Sequence, residues 1–287
     1  MSHLLQPFLD YVFMQRALLG TVAIALSATP VGCFLTLRRM SLMGDAMSHA
    51  ILPGVAVGFL VSGLSLGAMT VGGIVAGLAV AVLTGAVTRA TGQREDASLA
   101  AFYLISLALG VLLVSLRGSN VDLMHILFGS VLALNDAALR LLCVIATLTL
   151  VTLAVVWRPL VLECVDPTFL RSVSRWSGPV HLVFLGLVVL NLVAGFQALG
   201  TLLSVGMMIL PALCARFWCR NLGPMVALAM GVAIAASVAG LVASYEWSLP
   251  SGPAITLSLG AIYLFSLICG PKDGILARFR PRPHFHS

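Results

Sequence analysis

Nine apolar runs divide the chain, at residues 17–37, 45–63, 66–88, 97–116, 135–157, 179–197, 199–217, 224–245 and 253–270. A helix needs about 20 apolar residues to cross the roughly 30 Å hydrocarbon layer of a bilayer, and each run is close to that length. In lipid every backbone polar group must find its partner inside the protein, so only helices and closed barrels can span. These runs are too long and too uniform for barrel strands. The expected fold is therefore an all-α, polytopic helical membrane protein with about nine transmembrane helices. The least secure division is Gln197 to Gly200: if 179–217 were not two spans, the count would be eight.

Composition agrees. Of 287 residues, 60% are hydrophobic and only 9% charged, with a mean hydropathy of +1.08. A soluble domain carries about a quarter charged residues. The 27 glycines suit close helix packing in lipid. The net charge of +6 is scattered between apolar runs and forms no patch that would favour nucleic acid. The six cysteines (33, 143, 164, 214, 219 and 269) show no CxxC pair and read as small apolar residues. The first run is too long, and its basic start too weak, for a secretory signal, so it is expected to stay as a helix.

Basic residues set the expected orientation. With the N-terminus outside, the inner side holds Arg38, Arg39, Arg89, Arg94, Arg158, Arg171, Arg175, Arg216, Arg220, Lys272, Arg278, Arg280 and Arg282, and only Arg16, Arg117 and Arg140 lie outside. Eight spans would instead move the N-terminus inside. No internal repeat or linker is visible, which makes residues 1–287 one membrane domain with a short leading segment, 1–16, and a basic tail, 272–287. The segment Gly118 to Leu134 is amphipathic and shorter than a span.

One stretch stands out: RRMSLMGDAMSHAILPG, from Arg38 to Gly54. Asp45 and His49 are four residues apart and share one helix face. Pro53 follows four residues later and deprives the His49 carbonyl of its helical partner. Gly44, Gly54 and Gly58 allow another helix to come close. Carboxylate and imidazole together suit a first-row divalent metal, and two protein ligands suit transit better than storage. A second copy of the helix in a symmetric dimer could double the ligand set. From spacing alone the pair fits equally well a capping aspartate with a packed histidine, although ionisable groups inside a membrane are functional by default.

Other candidates are weaker. Asp122 and His125 lie near water. His181 starts a run and reads as interfacial. Glu246 is at an outer helix end, and His284 and His286 sit in a flexible tail. Pro211, in MMILPALCA, frees the carbonyl of Met207 and marks a gate or a packing kink, and Pro30 interrupts the first span in the same way. Between the fifth and sixth runs, ECVDPTFLRSVSRW offers Asp166 as N-cap and Pro167 at the first helical position. Phe169, Leu170 and Val173 then face one way, and Arg171 and Arg175 another. Such a short amphipathic helix docks into a partner or lies on lipid, and the residues alone lean to lipid.

Enzyme signatures are missing. A P-loop needs Gly-Lys-Ser/Thr, and the only lysine, Lys272, follows Pro271. HExxH is absent because Ala50 follows His49. The glycine two positions before an intramembrane protease GD pair is replaced by Leu42, and a conceivable second aspartate, Asp136, sits at a helix end.

RRMSLMGDAMSHAILPGVAVGF, REDASLAAFYLISLALGVLLVSL, VDLMHILFGSVLAL, VDPTFLRS, QALGTLLSVGMMILPALCAR and LPSGPAITL run in order from Arg38 to about Pro271. Together they resemble the membrane permeases of bacterial ABC importers for manganese, zinc and ferrous iron. The resemblance implies a homodimer in the bacterial cytoplasmic (inner) membrane, with the path between the two copies. It also implies separate cytoplasmic ATPase subunits that carry out ATP hydrolysis, and an extracytoplasmic metal-binding protein that delivers the ion. No permanently bound cofactor is expected, only the transported divalent ion. The resemblance makes Asp45 and His49 pathway ligands. It also makes residues 163–176, with Asp166, Pro167, Phe169, Leu170 and Arg171, the coupling segment, against the lean to lipid. His-rich loops are absent, and Met43 stands where zinc permeases often have an aromatic residue, so manganese or iron is favoured over zinc. Alternating access is the expected mechanism, and transport should fall between about pH 7.5 and 5.5 because ligation needs neutral His49. The alternative is a self-sufficient secondary metal carrier, which would need no nucleotide partner and would show an inverted repeat.

Overall fold

The computed structural model describes residues 8, 10–63, 65–116, 131–165, 177–272 and 274–278. Among these the chain is helical, with no strand. The helices are α1 (Val12–Leu37), α2 (Ser41–Ala50), α3 (Leu52–Ser62), α4 (Leu66–Thr91), α5 (Glu95–Leu116), α6 (Asp136–Val165), α7 (Ser177–Leu199), α8 (Thr201–Arg216), α9 (Leu222–Trp247), α10 (Ser251–Cys269) and the single turn α11 (Ile275–Arg278), with a 3-10 turn at Val131–Ala133. Among the described residues eight helical segments are long and apolar enough to cross a membrane, counting α2 and α3 together as Ser41–Ser62.

The division at Gln197–Gly200 exists. Gly200 has a φ of 91°, a conformation open to glycine and strained for other residues, and it separates α7 from α8. However, α8 has only 16 residues and rises about 24 Å, shorter than the eight spans, yet it still runs between the two ends of the bundle. Gln197, just before it, bonds Thr70 near the start of α4, and Phe217, just after it, accepts the Lys272 amide.

Side-chain contacts sort the helix ends into two sets. At one end Tyr11 stacks near Tyr245, with centroids 5.9 Å apart, Arg16 pairs with Asp136 at 3.0 Å, and Trp247 is exposed. At the other end Arg38 reaches Glu163, Glu95 reaches His181, and the Lys272 amide donates to the Phe217 carbonyl. Aromatic rings gather at membrane interfaces, and Tyr11, Tyr245 and Trp247 mark one. Arg38, Arg39, Arg94, Arg216, Arg220 and Lys272 mark the other. The chain enters at the Tyr11 end and leaves at the Lys272 end.

Two contacts between interrupted or small-residue helices hold the centre. α1 carries Pro30 and α8 carries Pro211. The two helices meet where Thr29 donates its hydroxyl to the Met207 carbonyl at 3.1 Å. That carbonyl is the one Pro211 leaves without a helical donor. Gly32 lies so close to the Met208 carbonyl that a Cβ there would collide with it. On the other side, Gly54 of α3 and Gly72 of α4 stand face to face, each against the other's carbonyl. Small residues permit this backbone approach in lipid.

Candidate metal-path site

The helix that carries the acidic residue begins earlier than the apolar run suggests. α1 ends in a turn at Arg38 and Arg39, where Arg39 takes a φ of 60°. The Met40 amide folds back to the Leu35 carbonyl at 2.9 Å. α2 then starts at Ser41, with Met40 as N-cap, no side-chain capping bond and no acid in its first turn. Asp45 therefore lies beyond the first turn and caps nothing. Along the helix axis Asp45 is about 6 Å and His49 about 12 Å from the first residue of α2.

The pair comes together as its spacing predicts. His49 Nε2 is 4.0 Å from Asp45 Oδ1. Two donors on one ion stand about 3–4 Å apart when each bond is about 2.0–2.2 Å, so both groups can reach one cation. The Asp45 side chain is 65% exposed and that of His49 29%. The Ser48 hydroxyl donates to the Asp45 carbonyl at 2.7 Å, and the Tyr103 ring of α5 lies 6.4 Å from the His49 ring. Among the described residues, no group of three or more His, Cys, Asp or Glu side chains could hold a metal. Asp45 and His49 are, among the described residues, the donor pair on this helix.

Pro53 does break the span. The chain leaves α2 at Ile51 and restarts as α3, with Pro53 within its first two positions, where a missing N–H costs no bond. Beside the break, the buried Ala50 carbonyl accepts the Ser106 hydroxyl of α5 at 3.0 Å. Gly110, one turn along α5, packs against Leu52 and Pro53. Gly44 faces Ile209 and Met208 of α8, so the helix carrying Pro211 lies directly behind the Asp45 helix. Gly54 and Gly58 face α4 instead.

Of the remaining candidates, Glu246 is exposed near the end of α9. Asp122, His125, His284, His286 and the segment with Asp166, Pro167, Phe169, Leu170, Arg171, Val173 and Arg175 lie outside the described residues. His181 is more than an interfacial residue. Its Nδ1 is 2.9 Å from Arg38 Nη1 and 3.7 Å from Glu163 Oε1, and its Nε2 is 3.6 Å from Glu95 Oε1. Arg38 Nη2 meets Glu163 Oε1 at 3.0 Å, with the two side chains 9% and 7% exposed. No sequence spacing could have found this cluster, because its members come from three helices and the turn after α1. The single signal was an acid, Glu163, inside the last turns of an apolar helix.

The ABC 3 transport family model matches residues 10–270, and the chain belongs to that family. Its fold is that of a permease of the metal-ion ABC importers. It is 33% identical over 275 residues to the manganese import system permease protein ScaB of Streptococcus gordonii, covering 96% of this chain and 97% of that protein. It is 32% identical over 264 residues to the chelated iron transport system membrane protein YfeD of Yersinia pestis, covering 92% and 87%. The solved structure of PsaBC from Streptococcus pneumoniae in complex with Fab superposes with a TM-score of 0.85 at 31% identity, over 97% of this chain and 99% of that one.

Proposed function

We propose that this chain is the permease subunit of an importer that moves a divalent transition metal ion, manganese before iron or zinc, across the cytoplasmic membrane by alternating access. The observation that carries the reading is the Asp45–His49 pair. It presents a carboxylate and an imidazole 4.0 Å apart, with the carboxylate exposed, part-way into a membrane span. A charge at that depth needs water, a partner or a cargo. Two donors from one chain become four when a second copy faces the first, and a homodimer with the path between its copies supplies that face. Manganese is favoured because ScaB is named for manganese import, and the YfeD name keeps iron in view.

ATP hydrolysis is assigned to separate subunits on the cytoplasmic side, and ion delivery to an extracytoplasmic metal-binding protein. The basic end of the bundle is taken as cytoplasmic by the positive-inside rule, which leaves the N-terminus outside. Residues Asp166, Pro167, Phe169, Leu170 and Arg171 fall between α6 and α7, whose neighbouring ends are both at the basic end, and they are proposed as the ATPase-coupling segment. Pro53 lies just past the break between the Asp45 helix and α3, and Pro211 lies inside α8, which packs behind the Asp45 helix; both are proposed as points about which the path opens.

The test is metal content in uptake-competent cells carrying wild type, Asp45→Ala or His49→Ala, with manganese, zinc and iron measured together and protein level checked. Loss of the same metal in both variants, by at least about tenfold, is expected. Normal content in both would remove the pair from the path. Uptake that persists without any ATPase partner would point to a self-sufficient carrier.

A further inference from the structure

We propose that Arg38 and Glu163 are positioning residues that carry motion from the junction of α6 and α7 to the Asp45 helix, with His181 and Glu95 completing the link. The inference rests on the proposed function. Glu163 lies two residues before the end of α6, and His181 four residues after the start of α7. Both touch Arg38, so the two flanks of the proposed coupling segment grip one guanidinium. Arg38 in turn is the first residue after α1, three residues before α2. The Arg39 and Met40 turn that joins them is closed by bonds back to Thr36 and Leu35, so a shift of Arg38 moves the start of α2.

The chemistry favours a linkage over a simple tie. A buried ion pair contributes little net stability compared with apolar packing, and this one is nearly fully buried. The guanidinium is held in orientation by the Phe184 ring, 4.7 Å away. Yet among the described residues Arg38 Nε and Glu163 Oε2 find no hydrogen-bond partner. Both Glu95 and Glu163 line a cavity of about 390 Å³ together with His181 and Thr88. Open volume beside the two carboxylates gives the pair a second arrangement to move into. His181 stands between the two carboxylates, at 3.7 Å from Glu163 and 3.6 Å from Glu95, so α5, which packs Tyr103 beside His49, joins the same linkage.

The experiment reconstitutes the full importer, permease with its ATPase and delivery protein, in lipid vesicles. ATP hydrolysis and uptake of manganese(II), iron(II) and zinc(II) are measured in the same preparation. The readout is ions taken up per ATP hydrolysed, a ratio that poor folding alone does not move. Glu163→Gln and Arg38→Met are each expected to keep hydrolysis and lower the ratio about tenfold. The exchange Arg38→Glu with Glu163→Arg is expected to recover much of it. Arg16→Met, which breaks the exposed pair at the opposite end, should leave the ratio unchanged. If both single variants keep the wild-type ratio, or lose hydrolysis and uptake in parallel, the linkage is wrong while the proposed function stands. If wild type itself carries none of the three ions with ATP, the proposed function fails and the inference with it.

Discussion

Thr29 donates its hydroxyl to the carbonyl of Met207, 178 residues away, at 3.1 Å in a fully buried setting. The bond fills the place of the amide that Pro211 lacks, so a defect in α8 is repaired by α1. Because Gly44 packs on Met208 and Ile209, the repaired section of α8 is also the support behind Asp45.

Thr29→Val should therefore lower stability by about 1 kcal/mol, the usual size for one such bond in a membrane bundle. In a Pro211→Ala background the residue at 211 regains its amide, and the same change should cost much less. Thermal unfolding of the purified protein in detergent, run as a double-mutant cycle, measures the difference. Equal costs in both backgrounds would show that Thr29 does not serve the proline.

Gly54→Ala should be worse tolerated than its size suggests. Its Cβ would enter the Gly72 carbonyl of α4, and overpacking of this kind costs about 1–3 kcal/mol. Gly67→Ala, where nothing lies within reach of the new atom, should be neutral. Paired unfolding curves for the two variants check the contrast.

Asp45→Asn should separate function from stability. The side chain is 65% exposed and stands 4.0 Å from His49, beyond hydrogen-bond reach, so the change removes no buried bond. Melting temperature should hold while metal uptake falls by about tenfold or more. A variant that melts early as well as failing to transport would mean that the carboxylate supports the fold.

Orientation has its own check. In a background with the six native cysteines replaced, Ser65→Cys lies between α3 and α4 at the aromatic end, and Gln93→Cys lies between α4 and α5 at the basic end. An impermeant maleimide added to intact cells should label the first and reach the second only after permeabilisation. The reverse pattern would put the N-terminus in the cytoplasm.

Most of the spans were legible because a bilayer imposes length and apolarity on each helix. The Gln197–Gly200 division was legible because Gly200 supplies the positive φ that the turn needs. The Asp45–His49 approach was legible because helix geometry fixes it. The start of α2 was not, since Ser41 to Gly44 are neither strongly apolar nor marked by a capping side chain, and apolarity alone made Asp45 look like a first-turn residue. The shortness of α8 was hidden as well: its composition matches a span, and only packing tells that its ends stop early. The Arg38 cluster depends on how three helices and the turn after α1 assemble, which no local pattern encodes.

The 16-residue α8 has a consequence for how the protein is made. At about 24 Å it falls short of the length that lets a segment partition into lipid unaided. It also carries a proline in its middle. Its entry must be assisted by helices already in place, and α1, synthesised first, waits with Thr29 and Gly32 turned toward it. During biogenesis α8 is thus received by helices already made, α1 at Thr29 and Gly32 and α2 at Gly44.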